Sequence, residues 1–179
     1  MKYLVLLRGV NISGKNKVNM GILKDSLVSD GYLSVKTYLN SGNIILESDL
    51  DKDKIVRDMA CIIKDKFDVS VPVFIIDFNK LKDILNNNPK WWGTNNKEMY
   101  DNLIFIMPGV SAGEVCDALG KPSDDIEKVY VYDNVIFWSF KLDSYRKANW
   151  WIKTASTDIK DDITIRTAGT VRKLLEMGK

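Results

Sequence analysis

The chain has 179 residues, of which 45% are hydrophobic and 28% are charged, and its formal net charge is +2. This length and composition suit one ordinary domain, or two small packed ones, with a real hydrophobic core. The longest apolar run, residues 71–76, is far too short to cross a bilayer, and the N-terminus shows no signal-peptide pattern. The chain contains no histidine, which excludes Ser-His and Cys-His nucleophile pairs and most zinc sites.

The charge is distributed unevenly. Residues 1–24 contain five basic residues and no acidic one, and residues 163–179 contain four basic residues against one acidic residue. Basic ends on a nearly neutral chain are compatible with a local anion site, but not with a surface covered in nucleic-acid-binding charge. Ordinary solvated lysines would produce the same pattern.

The first part of the chain predicts the order β-α-β-β-α-β. Its strands are apolar runs, its helices show apolar residues at helical spacing, and the turn Asn40-Ser41-Gly42-Asn43 is typical of a hairpin. The predicted elements are a strand at 2–7, a helix between Asn19 and Gly31, strands at 35–39 and 44–46, a helix near 51–67 and a strand at 71–76.

A helix near 81–87 and a breaker-rich stretch at 86–93 follow, and then the same order repeats. The repeat is one of pattern only, because the two parts share little sequence. The predicted elements are a strand at 103–107, a helix from the capping residue Ser111 to Gly120, strands at 129–132 and 135–140, a helix holding Trp150 and Trp151, a strand at 163–166 and a last helix capped by Thr170.

We therefore predict an α+β fold of two ferredoxin-like (βαββαβ) halves. Each half should contain a four-stranded antiparallel sheet with the strand order 4-1-3-2. Residues 1–77 are assigned to the first half, residues 78–98 to a helix and linker, and residues 99–179 to the second half.

Two segments, Leu6–Lys15 and Tyr38–Asn43, place Gly, Asn and Ser at the end of an apolar strand. The first strand runs toward Arg8, and a right-handed helical crossover makes the second strand parallel to it. The third strand then leaves the same edge from Asn43, beside the first strand. We expect the two segments to be neighbours and to form one polar, cationic site.

The segment Gly9–Asn16 reads GVNISGKN and matches the phosphate loop GxxxxGK[ST] at every position except the last. Asn16 replaces the hydroxyl that would hold magnesium. The helix is expected to begin only after Asn19, and the sheet is expected to be antiparallel, so we predict that this loop does not hydrolyse nucleotides. Two interpretations stay open: a loop that binds an anion through Lys15 and Lys17, and a purely structural loop.

Residues of this region are the candidate ligand-binding set. Arg8 ends an apolar strand, and two roles are open for it. Either its guanidinium binds phosphate or carboxylate through paired N–H donors, or its aliphatic part packs on the core while the guanidinium stays in solvent. Turn formation alone explains Gly42, but it explains less well why the other turn residues are all polar. The candidates are Arg8, Asn11, Lys15, Lys17, Asn40, Ser41 and Asn43.

The pairs Trp91-Trp92 and Trp150-Trp151 resemble base-stacking platforms. Paired tryptophans more often seal a packing contact, with one ring inside and one at the rim, and we predict this role here. The segment Asn43–Ser48 is aliphatic and lacks the aromatic residues with which RNA-recognition ferredoxin folds stack bases.

In residue types and in spacing, residues 6–20 and 38–48 resemble the bacterial domain of unknown function 1697 family. The resemblance implies two ferredoxin-like halves in a cytoplasmic bacterial protein, and it supplies no established activity. Similar members usually carry a motif TxRNWxT near the C-terminus. Here Thr164, Arg166 and Thr170 fit this motif and are secondary site candidates, while Thr167 and Ala168 replace its Asn and Trp.

We interpret the chain as a cytoplasmic binding protein for a phosphate-bearing or other anionic ligand, such as a small molecule or nucleotide. No cofactor, metal or membrane partner is expected. Cys61 and Cys116 are expected to be buried thiols of a reducing compartment. Two alternatives stay open: an enzyme on a small phosphorylated substrate with Lys15 as electrophile, and a protein–protein interaction module built on the tryptophans.

Overall fold

The computed structural model describes residues 1–179 as an α+β protein with two four-stranded antiparallel sheets. The chain divides into two compact units, Met1–Asp83 together with Leu174–Lys179, and Ile84–Lys173. None of the helices combines the length and the hydropathy that a membrane crossing requires.

The first sheet has the strand order β2-β3-β1-β4, which is the predicted order 4-1-3-2 seen from the opposite edge. All of its neighbouring strands are antiparallel. The elements in this part of the chain are β1 (Lys2–Leu7), α1 (Met20–Ser29), β2 (Leu33–Tyr38), β3 (Asn43–Glu47), α2 (Lys52–Phe67), β4 (Val73–Asp77) and α3 (Phe78–Asn86).

Strand β1 lies in the middle of the first sheet and is buried on both of its faces. Val5 and Leu7 join a core with the apolar residues of α1 and α2, including Leu23 and Met59. The alternate residues of β1 are buried as well, because residues 4–7 all have relative exposures of 1% or less. A strand covered on both faces reads as a continuous apolar run, which is why it was readily predicted.

Side-chain caps mark the starts of α1 and α2, and the cap of α1, Asn19, is the predicted one. The side chain of Asn19 accepts hydrogen bonds from the N–H groups of Gly21 (2.9 Å) and Ile22 (3.1 Å) before α1. The side chain of Asp51 accepts one from Lys54 N–H (2.7 Å) before α2. These bonds satisfy N–H groups that the first turn of a helix leaves without a partner.

The second sheet repeats the first, with the order β6-β7-β5-β8. Short 3₁₀ helices at Leu142–Lys147 and Asp158–Asp161 flank α5. The elements are β5 (Met99–Ile106), α4 (Ala112–Leu119), β6 (Glu127–Tyr132), β7 (Val135–Lys141), α5 (Asn149–Ser156), β8 (Ile163–Thr167) and α6 (Ala168–Met177). The capping box of Ser111 and Glu114 is present at the start of α4, as predicted.

The prediction that Thr170 caps the last helix is wrong. Helix α6 begins at Ala168, directly after β8, so Thr170 lies inside its first turn. The hydroxyl oxygen of Thr167 accepts the Thr170 N–H instead, at 3.3 Å. The capping oxygen therefore comes from the last residue of the strand, and the sequence pattern contains no loop between the two elements that would have shown this.

The end of the chain lies with the first unit, whereas the sequence analysis grouped residues 99–179 together. Lys36 Nζ donates to the carbonyl oxygen of Met177, and Lys2 Nζ donates to that of Gly178, both at 2.7 Å. The helical pattern of α6 gives no indication of these tertiary partners. Of the two cysteines, both free thiols, Cys61 is exposed rather than buried because it lies on the outer side of α2, and Cys116 is half-buried.

Each tryptophan pair has one ring inside and one nearer the surface, as predicted for packing. Trp92 and Trp150 are 2% and 1% exposed, while Trp91 is half-buried and Trp151 is 40% exposed. The indole N–H of Trp150 donates to the carbonyl oxygen of Gly120 at 2.8 Å. This polar partner lets the ring be buried without an unsatisfied donor.

A buried carboxylate organises the second core. Glu127 is 8% exposed and accepts hydrogen bonds from Ser123 N–H (2.8 Å), Trp138 Nε1–H (3.1 Å) and Trp150 N–H (3.1 Å). Helix α5 has no side-chain cap of its own, so Glu127 supplies an acceptor for its first turn. One side chain thus joins three donor residues, Ser123, Trp138 and Trp150, from three different segments of the second unit.

We predict that Glu127→Gln destabilises the protein. Glutamine has the same shape, but its NH₂ group must replace one oxygen and face N–H donors, so the free energy of unfolding should fall by about 1–3 kcal/mol. Urea denaturation followed by far-UV circular dichroism measures this loss. Glu98→Gln is the matched control, because Glu98 is exposed, and an equal loss in that variant would contradict the role of Glu127.

We also predict that the two neighbouring tryptophans differ in their contribution to stability. Trp150→Ala removes a buried ring and should lower the free energy of unfolding by about 3–5 kcal/mol. Trp151→Ala should cost clearly less, since much of that ring is already in water. Thermal and urea denaturation compare the two variants, and equal losses would show that Trp151 is as much a core residue as Trp150.

Candidate functional site

The two polar segments meet at one edge of the first sheet, as predicted. Strand β1 pairs antiparallel with β3, and Leu6 lies opposite Asn43 in the register. The Leu7 N–H donates to the carbonyl oxygen of Gly42 at 2.8 Å. The end of β1 and the turn at residues 40–43 are therefore in direct contact, although more than thirty positions separate them in the sequence.

Gly42 makes this contact possible. Its φ is 73°, in the left-handed region that favours glycine. A Cβ atom at this position would lie 2.5 Å from Leu7 Cβ and 2.9 Å from Val10 Cγ2. The glycine is thus required both by the backbone of the turn and by the close approach of the neighbouring strand.

Asn11 links the loop after β1, residues 8–18, to the turn. Its side-chain Nδ2 donates to the carbonyl oxygens of Val18 (2.8 Å) and Asn40 (2.7 Å). Its Oδ1 accepts the Val18 N–H at 2.9 Å. Its φ of 57° is one that asparagine adopts more readily than most residues. The Asn11 carboxamide is therefore engaged in holding the edge together.

The phosphate-loop resemblance in residues 9–16 does not extend to the geometry. The loop closes on itself, because Lys15 N–H donates to Ile12 O at 2.9 Å and Asn16 Nδ2 donates to Gly9 O at 3.0 Å. Helix α1 begins only at Met20, and the adjoining strands are antiparallel. Both structural reasons for doubting a nucleotide-hydrolysing loop are confirmed.

Asn43 has a structural role within the turn. It is completely buried, and its Nδ2 donates to the carbonyl oxygen of Tyr38 and to Ser41 Oγ, both at 2.9 Å. The amide that seemed superfluous for turn formation thus supplies a hydrogen bond across the hairpin. Any influence of Asn43 on a ligand would act through the shape of the turn.

Other candidates remain open to solvent. Lys15, Lys17 and Asn40 are exposed, and their side chains make no hydrogen bond or ion pair within the protein. Ser41 is also exposed, although its hydroxyl accepts from Asn43. Arg8 is half-buried, and its backbone N–H donates to the carbonyl oxygen of Pro72 at 3.0 Å.

A shallow groove of about 440 Å³ lies at the start of α1. It brings together three of the predicted residues and does not include Arg8, Lys15, Ser41 or Asn43 in its lining. Asn19 and Gly21 also line the groove, and the capping signal of Asn19 was the only sequence feature that pointed to them. The lining residues are Asn11, Lys17, Val18, Asn19, Met20, Gly21 and Asn40.

The lining of this groove, which we call the α1 groove, contains one basic residue, Lys17, and no acidic residue. No acidic residue occurs in residues 1–24, and the first turn of α1 contains none. The positive end of the helix dipole adds to the field of Lys17. Because Asn19 already accepts the N–H groups of Gly21 and Ile22, the helix contributes its field more than free donors. The structure contains no group of three or more His, Cys, Asp or Glu side chains suited to a metal ion.

The secondary candidates belong to the second unit. Arg166 and Thr164 are buried, and Arg166 Nη1 donates to Thr164 Oγ1 and to the carbonyl oxygen of Ile165, both at 2.9 Å. Burial lowers the pKa of Arg166 to about 10, so the guanidinium stays charged at neutral pH. Thr170 does not join this pair, since its hydroxyl bonds to Thr167 Oγ1 at 3.0 Å.

The fold and its polar edge define a class of protein: two α+β units with a Gly- and Asn-rich loop held against a tight hairpin. A family model described as "Protein of unknown function (DUF1697)" matches residues 1–137. The chain therefore belongs to this family. The matched range contains both polar segments, whereas residues 164–170 lie outside it.

Comparison with solved structures finds the conserved bacterial protein SP0830 from Streptococcus pneumoniae. It is 28% identical in sequence, with a TM-score of 0.86, and the similarity covers 99% of this chain and 98% of that chain. A comparison with curated proteins finds no match. The whole architecture is thus shared with that bacterial protein.

We predict that Asn11→Asp destabilises the first unit. The substitution preserves shape but replaces the two Nδ2 donors by an oxygen that faces the carbonyls of Val18 and Asn40. The free energy of unfolding should fall by about 1–3 kcal/mol or more. Urea denaturation measures the effect.

Asn95→Asp is the matched control for this prediction. Asn95 also has a positive φ, 61°, but it is exposed and its side chain makes no hydrogen bond. The control should therefore leave stability nearly unchanged. If both variants lose the same stability, the cost lies in the backbone conformation and not in the Asn11 hydrogen bonds.

Proposed function

We propose that the protein binds a phosphate-bearing or other anionic small molecule, including a nucleotide, at the α1 groove. The observation that carries this proposal is the groove's composition: an unpaired lysine and an unpaired carboxamide at a helix N-terminus, with no acidic residue in the lining. Such a groove attracts negative charge and offers polar groups that can orient it.

The predicted residues have different roles in this proposal. Lys17 anchors the anion and the Asn40 carboxamide orients it, since both line the groove and are exposed. Lys15, Arg8 and Ser41 lie outside the lining, and they contribute field or peripheral contacts. Asn11 and Asn43 act indirectly, because their hydrogen bonds hold the loop and the turn in place.

Solvent exposure limits the expected affinity. Two unit charges 4 Å apart interact by about 1 kcal/mol in water, compared with about 4 kcal/mol at a partly shielded surface. Salt screens exposed charges over roughly 8–10 Å at physiological ionic strength. Binding should therefore weaken as the salt concentration rises, and selectivity should depend on the amides more than on the lysines.

The enzyme alternative is less well supported. An electrophilic Lys15 acting on a phosphorylated substrate would need an enclosed pocket to strengthen its charge, and Lys15 is exposed on a closed loop. We therefore favour binding without turnover.

We also propose that each half is a ferredoxin-like unit and that the protein works in the bacterial cytoplasm. The element order and the strand order of both sheets support the first point. The similarity to a bacterial protein over the whole chain, and the exposed free thiol of Cys61, support the second.

A thermal-shift screen over nucleotides, short oligonucleotides and phosphorylated metabolites tests the proposed function, because a ligand that binds the folded state raises Tm. For a compound that raises Tm, calorimetric titration should give a Kd that increases roughly threefold to tenfold in Lys17→Ala, as expected for the loss of one partly exposed charge. The Kd should also rise with added NaCl.

Lys24→Ala is the matched control, since Lys24 is an exposed lysine of the same unit that does not line the groove. It should leave the Kd nearly unchanged. An equal loss in both variants would mean that the compound responds to net charge and not to the groove. Magnesium-dependent ATP or GTP turnover that disappears in Lys15→Ala would replace the binding proposal by a hydrolase.

A further inference from the structure

An arginine of the second unit, Arg172, lies beside an aromatic ring and has no polar partner. The Cζ atom of Arg172 is 5.8 Å from the ring centroid of Trp92. The side chain is exposed and makes no hydrogen bond or ion pair within the protein. The contact with the ring uses none of the guanidinium N–H donors, so these donors remain available to a ligand.

The backbone beside this arginine leaves room for its guanidinium because residue 93 is a glycine. Gly93 has a φ of 69°, and a Cβ atom there would lie 2.5 Å from Arg172 Nη2. The Gly93 N–H donates to Asp101 Oδ2 at 2.8 Å, and this hydrogen bond fixes the position of the Gly93 backbone beside Arg172. The indole N–H of Trp92 donates to the carbonyl oxygen of Asn102 at 2.7 Å and fixes the ring.

Arg172 lines a groove of about 300 Å³ within the second unit. Asn95, Asn96 and Tyr100 also line it and offer amide and hydroxyl groups, whereas the hydroxyl of Thr167 in the lining is engaged with Thr170. Asp101 is the single acidic residue of the lining. Its carboxylate accepts the Gly93 N–H and, through Oδ1, the Ser139 hydroxyl, so neutral donors hold it away from any ion pair with Arg172.

We propose that this groove binds the carboxylate of a small polar molecule, with Arg172 as the fork. A planar guanidinium with free edge donors matches a carboxylate in two parallel hydrogen bonds. The nearby Asp101 carboxylate disfavours more highly charged anions, so a monoanion fits better than a phosphate dianion. The amides of Asn95 and Asn96 and the hydroxyl of Tyr100 suit polar substituents on the same ligand. This site is separate in composition from the α1 groove and does not depend on the function proposed for it.

Nuclear magnetic resonance tests this site with acetate as the probe. In ¹⁵N-labelled protein at neutral pH, sodium acetate is added while NaCl is withdrawn to keep the ionic strength constant. The arginine Nε–H resonance of Arg172 and the indole resonance of Trp92 should shift together and saturate, with a Kd in the millimolar range or below. The resonance of Arg57, an exposed arginine of α2 that lies on no aromatic ring, should not saturate.

Two substitutions separate the contribution of the paired guanidinium donors from that of the positive charge. Arg172→Lys keeps the charge but loses the paired donors, and it should raise the acetate Kd by roughly threefold or more. Arg57→Ala should leave the Kd unchanged. Tm measurements show whether each variant folds like the parent.

Several results would overturn the proposal. One is a shift that is linear in acetate or equal with chloride, which would show that Arg172 is an ordinary solvated arginine. Another is saturation by inorganic phosphate but not by acetate, which would contradict the assignment to a carboxylate. A third is an unchanged acetate Kd in Arg172→Lys, which would show that the paired donors do not bind the anion.

Discussion

The edge of the first sheet depends on one close approach, that of Gly42 to the end of β1. The Leu7 N–H reaches the Gly42 carbonyl only because no side chain stands between the two backbones. Once the strands are this close, Asn11 can reach the carbonyl oxygen of Asn40 and join the loop to the turn. A glycine and an asparagine therefore decide where the polar groups of this edge lie.

This construction separates the residues that build the edge from those that can meet a ligand. Buried amides have their hydrogen bonds satisfied by backbone groups, as the cost of an unpaired buried donor demands. Lysines at the rim remain solvated and contribute a field rather than fixed contacts. The same division appears in the second unit, where Glu127 satisfies buried N–H groups while Arg172 keeps its donors toward solvent. Both candidate sites thus consist of exposed groups carried by a rigid, fully hydrogen-bonded frame.

The two candidate sites differ in how well their cation is oriented. Lys17 is a flexible point charge beside a helix start, so its contribution varies with salt and depends little on direction. The guanidinium of Arg172 lies beside Trp92 and against Gly93, and these neighbours restrict its orientation. A held fork loses less conformational freedom when it binds, and it distinguishes anions by shape. The different ligands that we propose for the two sites follow from this contrast.

The sequence by itself determined the elements, the strand order and the meeting of the two polar segments. These depend on local periodicity, on capping residues such as Asn19 and Ser111, and on the handedness of crossovers, all of which a single chain displays. Tertiary structure alone decided which polar side chains are engaged in hydrogen bonds within the protein. Asn11 and Asn40 look alike in sequence, yet one is bonded on both sides of its amide and the other is free, because only the fold brings the carbonyl oxygens of Val18 and Asn40 to Asn11. The pairing of Arg172 with Trp92 and the attachment of residues 174–179 to the first unit likewise arise from contacts between residues far apart in the chain, which periodicity does not encode.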